Sequence, residues 1–414
     1  MLRIRGIVLG LLTLSAIATH MLDRDSSTSP NEAFSFDPGF DIRAVDALAV
    51  ALPSHSWEFG TASEALLELW NSTLSVFGPT PFEAASELSP AVSVASIPSL
   101  AYAQSNIILG TGANVLQDGD GAVGDPASLG VSAILLGKLG DETLKAAAAR
   151  EAEYLLTGAP RFWNGAISQR SNYSELWADF MYMAPPFLAY YAVETSNAQL
   201  LQQTVEQCGL YRQVLQANLS SSTLYKGIWE HIIGPVNLDT GVWSTGNAWA
   251  AAGMTRVLAT VLKAPSSITN GWKDSAVADL TQWIKEILDG VIRGKAITMA
   301  PSGLLRNYLN DASGDGHGYG ETSGTALLAS VAYRLVILQP DVFHANGNMT
   351  YINWAEGIRN TLGKHITANG TATPAVNPLD WSDTTPYTAG SPEGQNFVIL
   401  MYVAWRDCVI AGVC

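Results

Sequence analysis

The sequence predicts an all-α protein in which an inner ring of helices is wrapped by an outer ring, about six helical hairpins closed into a barrel. Three observations predict it. The 3.6-residue period dominates the chain, and strand-like alternation is scarce. Two kinds of helix alternate, one apolar on every side and one amphipathic. The later loop-and-helix units recur at roughly 50 to 75 residues, wider than the ~33 to 47 of helical solenoids, which favours a closed ring over a stacked array.

The chain begins with Arg3 and Arg5, followed by a short apolar run to Ala18 that ends in the small-x-small triplet Ala16-Ile17-Ala18. That run is short for a membrane span and fits a secretory signal, so a signal peptide is expected over 1–18. A polar, Ser/Thr-rich stretch predicts a flexible lead-in over 19–35, and the remainder, 36–414, reads as a single barrel domain. Five Asn-x-Ser/Thr sequons, at Asn71, Asn172, Asn218, Asn348 and Asn369, agree with a secreted, extracellular glycoprotein of eukaryotic origin.

Six charge-poor segments rich in Ala, Gly, Leu and Met predict the inner helices: 62–77, 126–136, 186–195, 248–262, 324–338 and 394–405. Amphipathic segments at 142–156, 199–216, 275–292 and 354–364 predict outer helices. An all-round apolar helix must be buried, whereas one with a charged face lies at the surface. The three cysteines form neither a disulfide framework nor a zinc pattern. In an oxidising compartment one pair can close; Cys408 and Cys414 are nearest in sequence, leaving Cys208 buried as a small apolar residue.

Composition restricts the partners. With 22 Lys and Arg against 37 Asp and Glu, the net charge of −15 lacks the basic footprint that nucleic acid requires. No later stretch approaches the ~20 apolar residues of a membrane span. Calcium and zinc are set aside on pattern. The run Asp311 to Gly316 has Thr322 where a calcium loop needs its last glutamate, and no His-x-x-x-His or Cys-x-x-Cys pair is present. Nucleophile-elbow and dinucleotide signatures are missing as well.

The chemistry concentrates in the loops that lead into the inner helices. Those loops are Gly124-Asp125, Trp177-Ala178-Asp179, Trp243-Ser244-Thr245-Gly246-Asn247, Tyr319-Gly320-Glu321 and Ser391-Pro392-Glu393. In a double-ring barrel they gather at one end, and each carries an acid, an amide or a tryptophan. That is the inventory of a sugar-binding cleft, with flat indoles for sugar faces and acids and amides for hydroxyls. Asp179 sits in the apolar run Trp177-Ala178-Asp179-Phe180-Met181-Tyr182. Such a carboxyl loses hydration, which favours the proton-carrying form that general acid catalysis needs. A helix cap, or a partner to a buried arginine, is the plainer role for an isolated aspartate.

The runs Gly124-Asp125-Pro126-Ala127-Ser128-Leu129-Gly130, Leu176 to Leu188, Trp243-Ser244-Thr245-Gly246-Asn247-Ala248-Trp249, Glu321 to Ala326 and Ser391 to Gln395 resemble the unsaturated glycuronyl and rhamnogalacturonyl hydrolases of glycoside hydrolase families 88 and 105. The resemblance covers roughly residues 55–406 and suggests a secreted, fungal-type member. It implies an (α/α)6 barrel and hydration of a 4,5-unsaturated uronic acid at the end of a lyase-generated oligosaccharide, with no metal or organic cofactor. Asp179 matches the family's catalytic aspartate, which protonates C4 and then activates water for C5. Asp125 matches a second aspartate that holds and tunes the substrate. Trp177, His231, Trp243, Asn247, Trp249 and Glu321 are the accompanying sugar-binding candidates. One departure stands out: the family's substrate-binding arginine is replaced by Thr245, with Arg170 or Arg306 available to compensate. Two other readings remain open. One is a conventional glycosidase using Asp125, Asp179, Glu321 or Glu393 on a saturated sugar. The other is a catalytically silent carbohydrate-binding protein.

Overall fold

A computed structural model describes residues 33–217, 226–313 and 316–414. The expected leader, most of the lead-in and the Asn218 sequon lie outside the described residues. Twelve helices of nine residues or more carry the architecture among the described residues. They are α1 (Ile42–Ala51), α2 (Ser56–Trp70), α3 (Pro98–Asn106), α4 (Gly130–Lys138), α5 (Glu142–Glu153), α6 (Phe180–Glu194), α7 (Ala198–Leu215), α8 (Ser244–Lys263), α9 (Lys273–Arg293), α10 (Thr322–Leu338), α11 (Thr350–Leu362) and α12 (Pro392–Ile410).

The apolar helices form the inner ring. Helix α2 packs on the Asp125–Leu129 turn that opens α4, this turn on α6, α6 on α8, α8 on α10 and α10 on α12, while α12 closes against α2. Each has an outer partner: α5 lies on α4, α7 on α6, α9 on α8, α11 on α10 and α1 on α12, with α3 across α2 and α4. The burial follows the sequence character. Every residue from Ser244 to Val261 of α8 is buried, whereas α9 buries one face through Ala276, Leu280, Ile284, Ile287, Leu288 and Val291. The double ring of six hairpins is therefore present as expected.

Two inner helices begin six residues before the apolar pattern suggests. Helix α2 starts at Ser56, not at residue 62, because Glu58 accepts backbone N–H bonds from Ser54 at 2.7 Å and His55 at 3.0 Å and fixes the first turn. Helix α6 starts at Phe180 and runs through Pro185 and Pro186. Neither proline can donate a helical bond, so the carbonyls of Met181 and Tyr182 lose their usual donors. Gly253 of α8 fits against this stretch, where a Cβ would lie 1.9 Å from the Met181 carbonyl oxygen. Packing on α8 thus carries the helix through its prolines.

Cys408 and Cys414 are disulfide-bonded and Cys208 is buried. Towards the C-terminal ends of the inner helices, six charged side chains form a largely buried network. Arg256 donates to Glu64 at 2.8 Å and to Glu68; Arg334 donates to Glu68 at 2.6 Å and to Asp407 at 2.5 Å; Arg406 pairs with Asp407 at 3.0 Å. Among the described residues no single helix is long and apolar enough to cross a membrane.

Candidate active site

The N-terminal ends of two inner helices carry aspartates that lie near enough for the charge of Asp179 to act on Asp125. Asp125 opens the turn before α4, with Pro126 behind it, and its Oδ1 accepts a 2.7 Å bond from Gln169 Nε2. Burial pushes its carboxyl up to about 6, and the nearby charge of Asp179 adds to this, while the Gln169 bond, Arg170 and His55 oppose it.

Asp179 precedes α6 without capping it, since its backbone is already helical and its side chain accepts no bond from the first turn. Its neighbour is His231, whose Nε2 lies 3.3 Å from Asp179 Oδ2. Two short strands arrange this. In β1 (Leu176–Trp177) and β2 (Ile232–Ile233), Trp177 pairs with Ile232, and the Ala178 N–H donates to the His231 carbonyl at 2.9 Å. The residues just beyond each strand are thereby set side by side.

His231 is enclosed. Its ring is tilted on Trp243 at 4.4 Å between centroids and meets the edges of Trp381 at 5.3 Å and Trp177 at 5.8 Å. Its Nδ1 lies 2.9 Å from Asp239 Oδ2. Burial disfavours an imidazolium here, but Asp179 and Asp239 outweigh it, and the His231 pKa is raised. Asp239 is held in turn by Tyr308 Oη at 2.5 Å and the Gly241 N–H at 2.9 Å.

Three further groups complete the wall. The Arg170 guanidinium stands 5.9 Å from the Trp177 ring centroid and donates to the Asp120 carbonyl at 3.2 Å. Trp177 donates to Glu175 at 3.0 Å. Glu393, near the start of α12, is 5% exposed; Trp57 Nε1 donates to its Oε1 at 3.1 Å, and its Oε2 has no hydrogen-bond partner. Burial, followed by the charges of Asp179 and Glu58, raises the Glu393 carboxyl well above the usual range.

The structure places several sequence candidates away from the pocket surface. Glu321 is fully buried and caps α10, accepting from the Gly324 N–H at 2.9 Å and from Ser244 Oγ at 2.5 Å. Burial pushes its carboxyl up to about 7 despite these donors. Asn247 ties backbone together, accepting from the Trp229 N–H at 2.8 Å and donating to the Trp229 and Trp243 carbonyls, each at 2.9 Å. Trp249 lies inside the ring between Tyr182 and Phe397. All three were expected to contact sugar, and their side chains are instead committed to the scaffold. Arg306 is likewise spent on the carbonyls of Ile297 at 2.7 Å and Gly318 at 2.8 Å. Thr245 is fully buried, and its hydroxyl has no hydrogen-bond partner.

Sequence reading missed Gln169, Asp239, Trp57, His55 and Trp381. Gln169, Asp239 and Trp381 reach the site from loops with no periodic signal of their own, and His55 and Trp57 from the start of α2, ahead of its apolar run. Gln169 stands beside Arg170, the one hint that this short run serves the pocket.

The sequence profile of Glycosyl Hydrolase Family 88 matches residues 122–336, half of the chain and the stretch that carries Asp125, Asp179 and His231. The chain belongs to this family. Among curated proteins, it is 26% identical over 215 residues to the unsaturated rhamnogalacturonyl hydrolase YesR of Bacillus subtilis. That alignment covers 49% of this chain and 55% of the relative, so the chain spans about half the length of the relative it matches. Among solved structures, a possible member of family 105 from Klebsiella pneumoniae superposes with a TM-score of 0.65 at 16% identity, covering 98% of this chain and 96% of that one. The unsaturated glucuronyl hydrolase of Bacillus sp. GL1 gives 0.56 at 15% identity, over 92% and 97% of the two chains. At these identities the superpositions show the shared helical barrel. These relatives are bacterial and lend no support to a fungal source.

Proposed function

We propose that the protein hydrates the 4,5-unsaturated uronic acid at the non-reducing end of an oligosaccharide, with Asp179 as general acid and base. One observation carries the reading. Asp125 and Asp179 lie near enough for the Asp179 charge to act on Asp125, neither serves a helix cap or pairs with an arginine, and Asp179 Oδ2 lies 3.3 Å from His231 Nε2. Burial holds Asp125 towards its neutral form, in which it can donate a hydrogen bond to substrate, while Asp179 and His231 make a carboxyl–imidazole pair able to carry the transferable proton.

In this reading Asp179 gives its proton to C4 of the vinyl ether, leaving positive charge on C5 and the ring oxygen. Water then adds to C5 as Asp179 takes its proton back. The resulting hemiketal collapses and releases the neighbouring sugar. Asp125, anchored by Gln169, binds the ring hydroxyls, and Trp177, Trp243 and Trp381 supply apolar walls. Arg170 provides the fixed charge for the uronate carboxylate in place of the arginine lost at Thr245. Glu393 offers a third carboxyl at the same site and favours, as a second reading, conventional hydrolysis of a saturated sugar.

Turnover of unsaturated uronyl disaccharides, compared with their saturated analogues, tests the proposal. Loss of absorbance from the unsaturated bond with no action on saturated substrates is the expected result. The reverse preference would establish the second reading, and silence on both would leave a carbohydrate-binding protein. The same proposal includes secretion, supported by the exposed sequons Asn172, Asn348 and Asn369. A mass shift on enzymatic deglycosylation of the naturally produced protein checks it.

A further inference from the structure

We infer that Asp239 is a positioning residue for this reaction: by accepting the Nδ1 proton of His231, it leaves a single proton shared between His231 Nε2 and Asp179 Oδ2, the proton that Asp179 gives to C4 and recovers from water. The inference rests on the hydration reading above and assigns a role to a residue outside its substrate contacts.

The geometry starts with the Ile232–Asp239 hairpin. Ile232 and Asp239 exchange backbone bonds of 2.8 and 3.0 Å, which turns the Asp239 side chain back under His231. Its two oxygens are then fully assigned. Oδ1 accepts from the Gly241 N–H at 2.9 Å, and Oδ2 accepts from Tyr308 Oη at 2.5 Å and meets His231 Nδ1 at 2.9 Å. An ionised carboxylate accepts only, so Nδ1 must carry a hydrogen whatever the charge on the ring. The outer end is free. Neither His231 Nε2 nor Asp179 Oδ2 has a hydrogen-bond partner, and the two buried atoms lie 3.3 Å apart as an ion pair that a small rotation of either side chain would turn into a hydrogen bond.

With Nδ1 fixed as a donor, two arrangements remain for one proton. In the first, Nε2–H faces an Asp179 carboxylate. In the second, a protonated Asp179 faces the Nε2 lone pair. Passing the proton from Nε2 to Oδ2 turns imidazolium plus carboxylate into imidazole plus carboxylic acid, with no charge created or lost. The second arrangement is the neutral carboxyl needed at C4, to which Asp179 must turn the Oδ2 that is enclosed here against His231. Once that proton has gone to C4, Asp179 is a carboxylate beside a neutral imidazole, ready to take a proton from water. The tryptophans around the ring keep bulk water from offering a competing route. Without Asp239 the neutral ring can carry its hydrogen on Nε2, where it blocks the lone pair that must face a protonated Asp179.

Asp239→Asn tests the inference. The Gly241 N–H keeps the amide oxygen on the Oδ1 side, so the amide nitrogen replaces Oδ2 and donates to Nδ1, imposing the Nε2–H tautomer. In the full chain labelled with ¹⁵N-histidine, the His231 signals, assigned by their loss in His231→Gln, are expected to change from a protonated to a bare Nδ1. The same variant is expected to lose about 10²- to 10⁴-fold in kcat, the range for losing a correctly held acid–base histidine. KM should stay within about threefold, because Asp239 does not touch substrate. A protonated Nδ1 in the variant, or a kcat within twofold of the parent, overturns the inference. Should Asp239→Asn not fold, Tyr308→Phe removes one donor from the same oxygen, with a kcat loss of about tenfold expected and no change overturning the idea. If the parent protein itself does not turn over unsaturated uronides, the hydration reading fails, while the nitrogen spectra still decide whether Asp239 sets the tautomer.

Discussion

Replacing Asp125 by Asn removes a carboxyl that the fold holds at a disadvantage. Burial raises its pKa from the ordinary 3.8 to about 6. A shift of roughly two units corresponds to about 3 kcal/mol, an upper bound because part of the side chain remains at the pocket surface. The folded pKa lies above the unfolded one, so Asp125 favours the folded state fully below about pH 4. That contribution declines as pH rises towards 6 and is lost above it. Asparagine keeps the 2.7 Å contact from Gln169 through its carbonyl oxygen and does not titrate. Urea unfolding of parent and variant at pH 4 and pH 8 should therefore diverge. Relative to the parent, Asp125→Asn should gain about 1 to 3 kcal/mol between the two pH values, while turnover falls at both. A stability difference that does not change with pH would falsify the assignment of Asp125 as a carboxyl destabilised by its own pocket.

Asp179→Asn cannot carry the transferable proton and should lower kcat by about 10²- to 10⁴-fold with little change in Tm; near-normal turnover rejects Asp179 as the acid. Arg170→Ala should raise KM for an unsaturated uronide by about 10- to 100-fold, from loss of a charged hydrogen bond worth about 1.5 to 3 kcal/mol, and high salt should weaken binding to the parent. An unchanged KM would place the carboxylate contact elsewhere. Glu68→Ala leaves Arg256 and Arg334 each short of a partner inside the inner ring and should destabilise the fold by about 3 to 5 kcal/mol in urea unfolding, with a loss below about 1 kcal/mol counting against the network.

The ring order was legible because burial is written into composition. A helix such as α8, apolar nearly all round, has no place but the interior, and a one-sided helix such as α9 has no place but the surface. The same logic marked Asp125 and Asp179, each an acid at the mouth of an apolar helix. Helix starts were less legible. Pro185 and Pro186 argue locally against a helix, and only the approach of Gly253 in α8 shows why α6 runs through them. Among the loop residues, composition alone could not separate pocket from scaffold. Glu321, Asn247 and Trp249 have the chemistry of sugar contacts, yet each satisfies the backbone or the core.

What the sequence by itself determined is therefore the pattern of apolar surface to be hidden and the acids left at its edges, because hydrophobic burial depends on residues a helical turn apart. What only the tertiary structure decided is which side chains meet. Asp239 reaches Asp179 through His231 by way of a hairpin and a two-residue strand pair, and Glu393 comes from the far end of the chain to the same wall. Such contacts depend on distances in space between segments whose sequences carry no record of one another.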